Sequence, residues 1–235
     1  MAVIKVVSYN IKNGQGMDGR VDLSRTADVL QALDADIICL QEIDKYRRRS
    51  FFCNQAARLA RIMQMEYVFG SAIRYKIGAY GNALLSRYPV IKSVNHQLPV
   101  PSGRSKRAML EMHCTIEGKK LRVFNTHMEL DRKLRLKQIE NFIVPLILSA
   151  DSAAILCGDL NETPDDAGVK FLYDCFKDSF AANTGSVTAT FRADQPVERM
   201  DYILLNPACR AVDYKIIPSL ASDHLPVMAW VELVS

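Results

Sequence analysis

Amide, carboxylate and imidazole side chains stand at the ends of apolar runs in this chain of 235 residues. Those that close or follow an apolar run are Asn10, Glu42, His127, Asp159 and Asn161. Asp201 and the pair Asp223-His224 instead precede apolar runs. Loops held by a rigid scaffold are where hydrolytic chemistry commonly sits, so the pattern favours a hydrolytic site.

Each of these residues also has an ordinary structural interpretation. A single Asn or Asp beside a strand is usually a turn former, which would account for Asn10 and Asp201. A lone His127 is more often structural than catalytic. Glu42 is less easily explained, because a carboxylate directly after Ile-Ile-Cys-Leu-Gln costs free energy unless it reaches solvent or a cation. The recurrence of such residues at strand termini favours a shared site over separate turns.

The elements that would position these side chains are mostly short apolar runs bounded by turn residues, which predict strands. We predict strands at residues 3–9, 37–40, 67–70, 83–86, 90–94, 121–125, 154–157, 202–205 and 227–234. Residues 107–116 alternate apolar and polar side chains, which predicts a half-buried strand. The turn Glu117-Gly118-Lys119 would join it to residues 120–126 as a hairpin.

Apolar stripes at helical spacing predict a helix capped by Asp22, and further helices over residues 55–63, 133–148 and 166–176. Pro145 is expected to bend the last turn of the third. Helices interleaved with hairpins predict an α/β sandwich of mixed sheets with helices outside. Strands that end and strands that begin can share one edge of a mixed sheet, which would gather the polar residues there. Without a linker or repeat, residues 1–235 are predicted to form a single domain.

Composition narrows the classes of protein. Hydrophobic residues make up 49% of the chain, and the net charge of +4 suits an anionic substrate without implying nucleic acid. The six cysteines include no CxxC pair, so a zinc site is not expected and the thiols are predicted to be reduced. The N-terminal run does not match a signal peptide, and no apolar stretch approaches the ~20 residues of a membrane span. We therefore expect a cytoplasmic monomer.

Six short motifs, taken in order, resemble the endonuclease/exonuclease/phosphatase superfamily, which includes deoxyribonuclease I. They are Ser8-Tyr9-Asn10, Leu40-Gln41-Glu42, Asn125-Thr126-His127, Gly158-Asp159-Leu160-Asn161, Arg199-Met200-Asp201-Tyr202 and Ser222-Asp223-His224. Each motif is weak, but the ordered set is specific and spans nearly the whole chain. The resemblance implies a four-layer α/β/β/α sandwich of two packed mixed β-sheets with the site at one end.

The resemblance also implies hydrolysis of a phosphate ester with a divalent metal. Mg²⁺ would be bound by Glu42 and Asn10, and by Asp223 directly or through water. Mn²⁺ is a possible substitute, because the ligands are oxygen donors. Whether one or two metal ions bind stays open.

The catalytic roles that the resemblance implies fall to five residues. Asp201 would orient His224, and Asp159 would orient or deprotonate the attacking water. Asn161 and His127 would donate hydrogen bonds to the phosphate. Either Asp159 or His224 could be the general base.

The sequence indicates which type of bond is hydrolysed more closely than which substrate contains that bond. Arg107, at a strand start, and Arg47 and Arg48, in the basic run after Glu42, are predicted to contact an anionic substrate. The first hypothesis is a phosphodiesterase of nuclease type. The alternative is a phosphatase or phospholipase C-type hydrolase acting on an inositol phosphate or a sphingomyelin-like headgroup. A non-catalytic binding module is the minor alternative, since every matching position holds a competent residue.

Overall fold

The computed structural model describes residues 3–103, 105–149 and 152–234. Within them, twelve strands form two six-stranded sheets. The first sheet contains β1 (Val3–Asn10), β2 (Ile37–Lys45), β3 (Glu66–Arg74), β4 (Ala79–Ser86), β11 (Cys209–Ile216) and β12 (Val227–Leu233). The second contains β5 (Lys92–Gln97), β6 (Ala108–Ile116), β7 (Lys119–His127), β8 (Ala153–Asp159), β9 (Lys177–Asp178) and β10 (Asp201–Leu205). The α-helices are α1 (Leu23–Leu33), α2 (Gln55–Met63), α3 (Arg132–Gln138), α4 (Val144–Leu148) and α5 (Ala167–Cys175).

Both sheets are mixed, as the sequence predicts. The strand order is β11-β12-β1-β2-β4-β3 in the first sheet and β5-β6-β7-β8-β10-β9 in the second. One pair in each sheet is parallel, β1 with β2 and β7 with β8, and the other pairs are antiparallel. The polar ends of β1, β7 and β8 therefore point toward the edge from which β10 and β12 start.

Three apolar layers hold the sheets and helices together. Val6 and Ile37 belong to the layer between the two sheets. Their chain neighbours Val7 and Ile38 face the other way, into the layer beneath α1 and α2. This alternation is what a strand requires when both of its faces are buried. A third layer lies between the second sheet and the helices from α3 to α5. The predicted four-layer α/β/β/α sandwich is confirmed.

The predicted helices form, with one interruption. Asp22 caps α1 by accepting a hydrogen bond from the backbone of Ser24. The predicted helix at 133–148 is divided into α3, a π-helical turn over Ile139–Ile143, and α4. Pro145 stands in the first turn of α4, where its missing N–H is tolerated, instead of bending a last turn. In the part of the chain that the structure describes, no helix is long and apolar enough to cross a membrane.

Several strands differ from the prediction: β9 was not predicted, and β3 and β4 are longer than the runs predicted at 67–70 and 83–86. Strand β11 was not predicted, because Asp213 and Lys215 interrupt its apolar residues at an exposed edge. The strand predicted at 90–94 is β5, which begins two residues later and runs to Gln97. Strand β2 does not end before Glu42 but continues to Lys45 through an irregularity between Leu40 and Ile43.

Candidate active site

The backbone register places three predicted site residues side by side. His127 at the end of β7 is paired with Asp159 at the end of β8. Asp159 is in turn paired with Asp201 at the start of β10. Asn10 ends β1 in the facing sheet, and its side chain reaches across to Asp159. Residues far apart in the chain thus meet at one edge of the sandwich.

Asp159 is the centre of this group, and its side chain is 2% exposed. Its Oδ2 accepts a hydrogen bond from Asn10 Nδ2 at 3.0 Å. The Nε2 atoms of His127 and His224 lie 3.5 and 3.6 Å from the same oxygen. Oδ1 accepts a hydrogen bond from the backbone N–H of Asn161 at 3.0 Å, which fixes the carboxylate plane. One carboxylate oxygen therefore faces an amide and two imidazoles.

The ring of His224 lies against the carboxylate of Asp201. Its Nδ1 lies 2.9 Å from Asp201 Oδ2. Burial favours the neutral ring, but the negative charges of Asp201 and Asp159 outweigh it and raise the pKa of His224 to about 10. Both ring nitrogens face carboxylates, with a hydrogen bond at Nδ1 and a longer ion-pair contact at Nε2, which is the arrangement that favours a protonated imidazolium.

His127 lies close to the same carboxylate, but its ring is neutral where that of His224 is protonated. Burial, together with the positive charges of Arg107 and His224, lowers the pKa of His127 to about 3 even though Asp159 opposes the shift. Its Nδ1 is buried without a hydrogen-bond partner among the described residues. At neutral pH the ring is uncharged and one nitrogen can donate to a bound oxygen.

Glu42 occupies an irregular point of β2 with a left-handed backbone, φ +58°. Such a backbone is unusual for a long side chain and often marks a functional position. Asn10 Nδ2 donates to Glu42 Oε1 at 3.2 Å. Burial and the negative charges of Asp159 and Asp223 raise the pKa of Glu42, although the hydrogen bond from Asn10 opposes them.

The donor set fits a divalent cation. Within the described residues, the ion-pair contact of Glu42 is with His127 Nδ1 at 4.0 Å, and that ring is neutral. Glu42 is therefore a carboxylate without a positively charged partner among the described residues, and a hard cation bound by oxygen atoms would supply that charge. Asp159, Asp201 and His224 also offer ligand atoms within 4.8 Å of one another. In this second group the His224–Asp201 hydrogen bond already engages one histidine nitrogen.

Asp223 has a partner that the sequence analysis missed. Lys12 Nζ lies 2.6 Å from Asp223 Oδ2, and the Lys12 backbone N–H donates to Asn10 Oδ1 at 3.0 Å. In Asn10-Ile11-Lys12-Asn13 the lysine resembles an ordinary turn residue, and its left-handed backbone, φ +44°, has no sequence marker. Asp223 thus lies at the site, paired with an ammonium group.

A buried ion pair joins the loops that follow β7 and β8. Arg135 Nε donates to Glu162 Oε1 at 2.8 Å, and Arg135 Nη1 donates to the carbonyl of Glu129. Arg135 therefore braces the loop after His127. Asn161 also crosses between the loops, because its Nδ2 donates to the Met128 carbonyl at 2.9 Å. One N–H of that amide remains for a ligand.

The three predicted substrate-binding arginines occupy different places. Arg107 lies at the site, where its charge affects the pKa values of His127 and Tyr80, and its buried Nε has no partner in the described structure. Arg47 lies outside the cluster, with its guanidinium 3.4 Å from the Tyr75 ring centroid. Arg48 is exposed in the same loop.

Comparison with known proteins agrees with this architecture. The model described as Endonuclease/Exonuclease/phosphatase family matches residues 7–224, and the chain therefore belongs to that family. Membership supports a hydrolase acting on phosphate esters.

The individual relatives share a low sequence identity with this chain. Uncharacterized protein YbhP from Escherichia coli K12 is 26% identical over 97% of this chain and 96% of its own length. A mannosyl-6-phosphatase from Bacteroides thetaiotaomicron aligns with a TM-score of 0.82 at 20% identity, covering 97% of this chain and 99% of that one. The human Nocturnin catalytic domain aligns with a TM-score of 0.76 at 21% identity, covering 98% and 93%. At these identities the solved structures show a shared fold.

Proposed function

We propose that this protein is a divalent-metal-dependent phosphodiesterase of nuclease type. The observation that carries the proposal is the contact of one oxygen, Asp159 Oδ2, with Asn10 and both site histidines, beside the carboxylate of Glu42. Such an arrangement can orient water, hold positive charge and bind a hard cation within one small volume.

The metal-binding part consists of Glu42 and Asn10. The carboxylate of Glu42 would hold Mg²⁺, or Mn²⁺ in its place, and Asn10 keeps that carboxylate oriented through its 3.2 Å hydrogen bond. Asp223 would take part through water, since Lys12 occupies one of its oxygens. The bound cation would polarise a phosphoryl oxygen and offset charge in the transition state.

The remaining residues handle protons and the phosphate. Both nitrogens of His224 face carboxylates, so His224 donates, and Asp159 is left to orient and deprotonate the attacking water. His127 and the free N–H of Asn161 donate to the phosphate oxygens as negative charge develops. Arg107 supplies a further positive charge beside His127.

A second candidate is hydrolysis of a small phosphate ester, such as an inositol phosphate or a phospholipid headgroup. The depth of the site favours it, because the side chains of Asp159 and His224 are only 2% and 7% exposed. The cationic and aromatic side chains beside the site argue against this second candidate, because a small substrate does not need them.

The experiment is a substrate panel with Mg²⁺, Mn²⁺ or excess chelator. It contains bis-p-nitrophenyl phosphate, p-nitrophenyl phosphate, single- and double-stranded oligonucleotides, an inositol phosphate and sphingomyelin. We expect Glu42→Ala, Asp159→Asn and His224→Ala each to lower kcat at least ~100-fold. Asp165→Asn is the matched control, because that carboxylate is 98% exposed. Full activity in excess chelator, or wild-type activity in His224→Ala, would contradict the mechanism, and cleavage of the monoester alone would favour the second candidate.

A further inference from the structure

Two adjoining cavities lie beside the site, between the edge strands β3 and β5. Their volumes are about 410 and 660 Å³, and both are lined by Ser71, Arg74 and Asn95. Lys45, Tyr46 and Tyr75 line the first, and Lys106 lines the second. We call this continuous surface the edge groove. Since β3 and β5 are the terminal strands of the two sheets on the same side, the groove follows the open flank of the sandwich.

The groove begins close to Glu42. Lys45 comes three residues after Glu42 along β2, which at ~3.3 Å per residue corresponds to roughly 10 Å. Lys45 is paired with Ala79 on β4, and the next residue, Tyr80, lies near enough to Glu42 for their charges to interact. A substrate bound at Glu42 can therefore continue along the groove without crossing the molecule.

The positive charge in the groove is not neutralised by carboxylates of the described residues. Within the described residues, no ion pair engages Lys45, Arg74 or Lys106. Arg74 makes a hydrogen bond from Nε to Ser71 Oγ at 3.2 Å, which holds its side chain over the cavity and leaves the guanidinium nitrogens exposed. Three cations without a carboxylate partner along one groove suit a ligand with repeated negative charges, although Lys45 also lies 5.6 Å from the Phe69 ring centroid.

Two exposed tyrosines lie beside these cations. Tyr46 is 49% exposed and has a left-handed backbone, φ +58°, and Tyr75 is 43% exposed. A bulky residue keeps that conformation only where its surroundings enforce it. Gly78 packs closely against this segment, because a Cβ at Gly78 would lie 2.5 Å from the carbonyl oxygens of Lys45 and Tyr46. The β3–β4 turn thus packs directly against the backbone that presents Tyr46.

Arg47 completes the assembly. Its guanidinium lies 3.4 Å from the Tyr75 ring centroid, and its Nη1 donates to the Ile77 carbonyl at 3.0 Å. Arg47 therefore covers part of the Tyr75 ring and fixes it to the loop after β2. Fixed aromatic rings lose little conformational entropy when a planar group stacks on them.

We propose that the edge groove binds a single-stranded stretch of a nucleic acid substrate next to the bond that is cut. Cationic side chains that follow the backbone, with aromatic rings on which unpaired bases stack, are the combination that single-stranded nucleic acid requires. A duplex has its base faces covered and gains nothing from Tyr46 and Tyr75. The inference rests on the phosphodiesterase function proposed above.

The test is binding of fluorescein-labelled single-stranded DNA and RNA 12-mers, measured by fluorescence anisotropy in EDTA so that no substrate is consumed. We expect Tyr75→Ala and Tyr46→Ala each to weaken binding about tenfold, the effect of losing one base stack. Arg74→Ala and Lys106→Ala should each lower the slope of log Kd against log salt by about 0.7. Tyr75→Phe should retain binding.

The matched controls lie outside the groove, one at the other end of β3 and one on α2. Tyr67→Ala removes a 38% exposed aromatic ring, and Arg61→Ala removes an exposed arginine on α2, and neither should change Kd or the salt slope. Groove variants that bind single strands within twofold of the wild type would overturn the inference, as would equal affinity for a duplex. Binding to vesicles of phosphatidylcholine and phosphatidylserine without oligonucleotide binding would also overturn it and assign the surface to a membrane. Hydrolysis of bis-p-nitrophenyl phosphate by the wild type tests the proposed function separately.

Discussion

The buried pair of Arg135 and Glu162 gives the sharpest stability prediction. Both side chains are 2% exposed, and Arg135 also donates to the Glu129 carbonyl. Arg135→Ala would leave the Glu162 carboxylate buried, with the Val169 N–H at 3.0 Å as its remaining hydrogen bond. Removing one partner of a buried ion pair costs about 3–5 kcal/mol, because the other charge stays desolvated and uncompensated. For a chain of this size that corresponds to a fall in Tm of roughly 6–20 °C.

Arg132, on the same helix, provides the control. Its side chain is 79% exposed, and it pairs with Asp166 at 3.3 Å. Arg132→Ala removes an ion pair of the same type, but an exposed pair contributes less than about 1 kcal/mol. The free energies of unfolding of both variants and the wild type are measured by urea denaturation with circular dichroism at pH 7.

A double variant tests the cause of the loss. If the cost of Arg135→Ala comes from an uncompensated charge, then Arg135→Met combined with Glu162→Gln should be less destabilising than the sum of the two single changes. Equal losses in Arg135→Ala and Arg132→Ala, or strict additivity in the double variant, would refute the reasoning. The pair matters for activity because it joins the loops that follow His127 and Asp159.

Two further predictions concern charge at the site. Asp201→Asn removes the charge that, with Asp159, raises the pKa of His224 from 6.5 to about 10. The stabilisation from this shift is complete below pH 6.5 and is lost as the pH rises through 10. In EDTA, the free energy of unfolding of the wild type should therefore exceed that of the variant by less and less across that range. A difference that is constant with pH would contradict the prediction. Lys12→Met frees the Asp223 carboxylate, and one more uncompensated charge, worth roughly 1 kcal/mol, should lower the Mg²⁺ concentration for half-maximal activity about fivefold. An unchanged or higher Mg²⁺ requirement in a metal titration would show that Lys12 does not compete with the cation.

The sequence predicts the fold well because both sheets are buried on both faces. Continuous apolar runs such as Ile37-Ile38-Cys39-Leu40 are stable where both faces of a strand are covered, and the polar residues that end them mark the edge. Edge strand β11 escaped prediction because its outer residues contact solvent, so its sequence alternates with charges. Periodicity reports burial, and it fails where burial is incomplete.

Within the site, sequence identifies residue types better than their partners. Asp201 was predicted to orient His224, and the two side chains lie 2.9 Å apart. Lys12 was missed because its contact with Asp223 spans 211 residues and depends on a left-handed turn. No local pattern encodes such a contact, because it exists only once the sheets have brought both loops to the same edge.

The two site histidines show why position matters more than residue type. His127 and His224 contact the same oxygen of Asp159 at almost the same distance, 3.5 and 3.6 Å. Burial lowers the pKa of both, but only His224 has Asp201 on its far side to reverse the effect. The two histidines therefore differ in charge because a second carboxylate is hydrogen-bonded to the ring of His224, whereas Nδ1 of His127 has no hydrogen-bond partner among the described residues. His224 is a cation, and His127 is a neutral donor. Asp159 therefore faces one positive and one neutral imidazole.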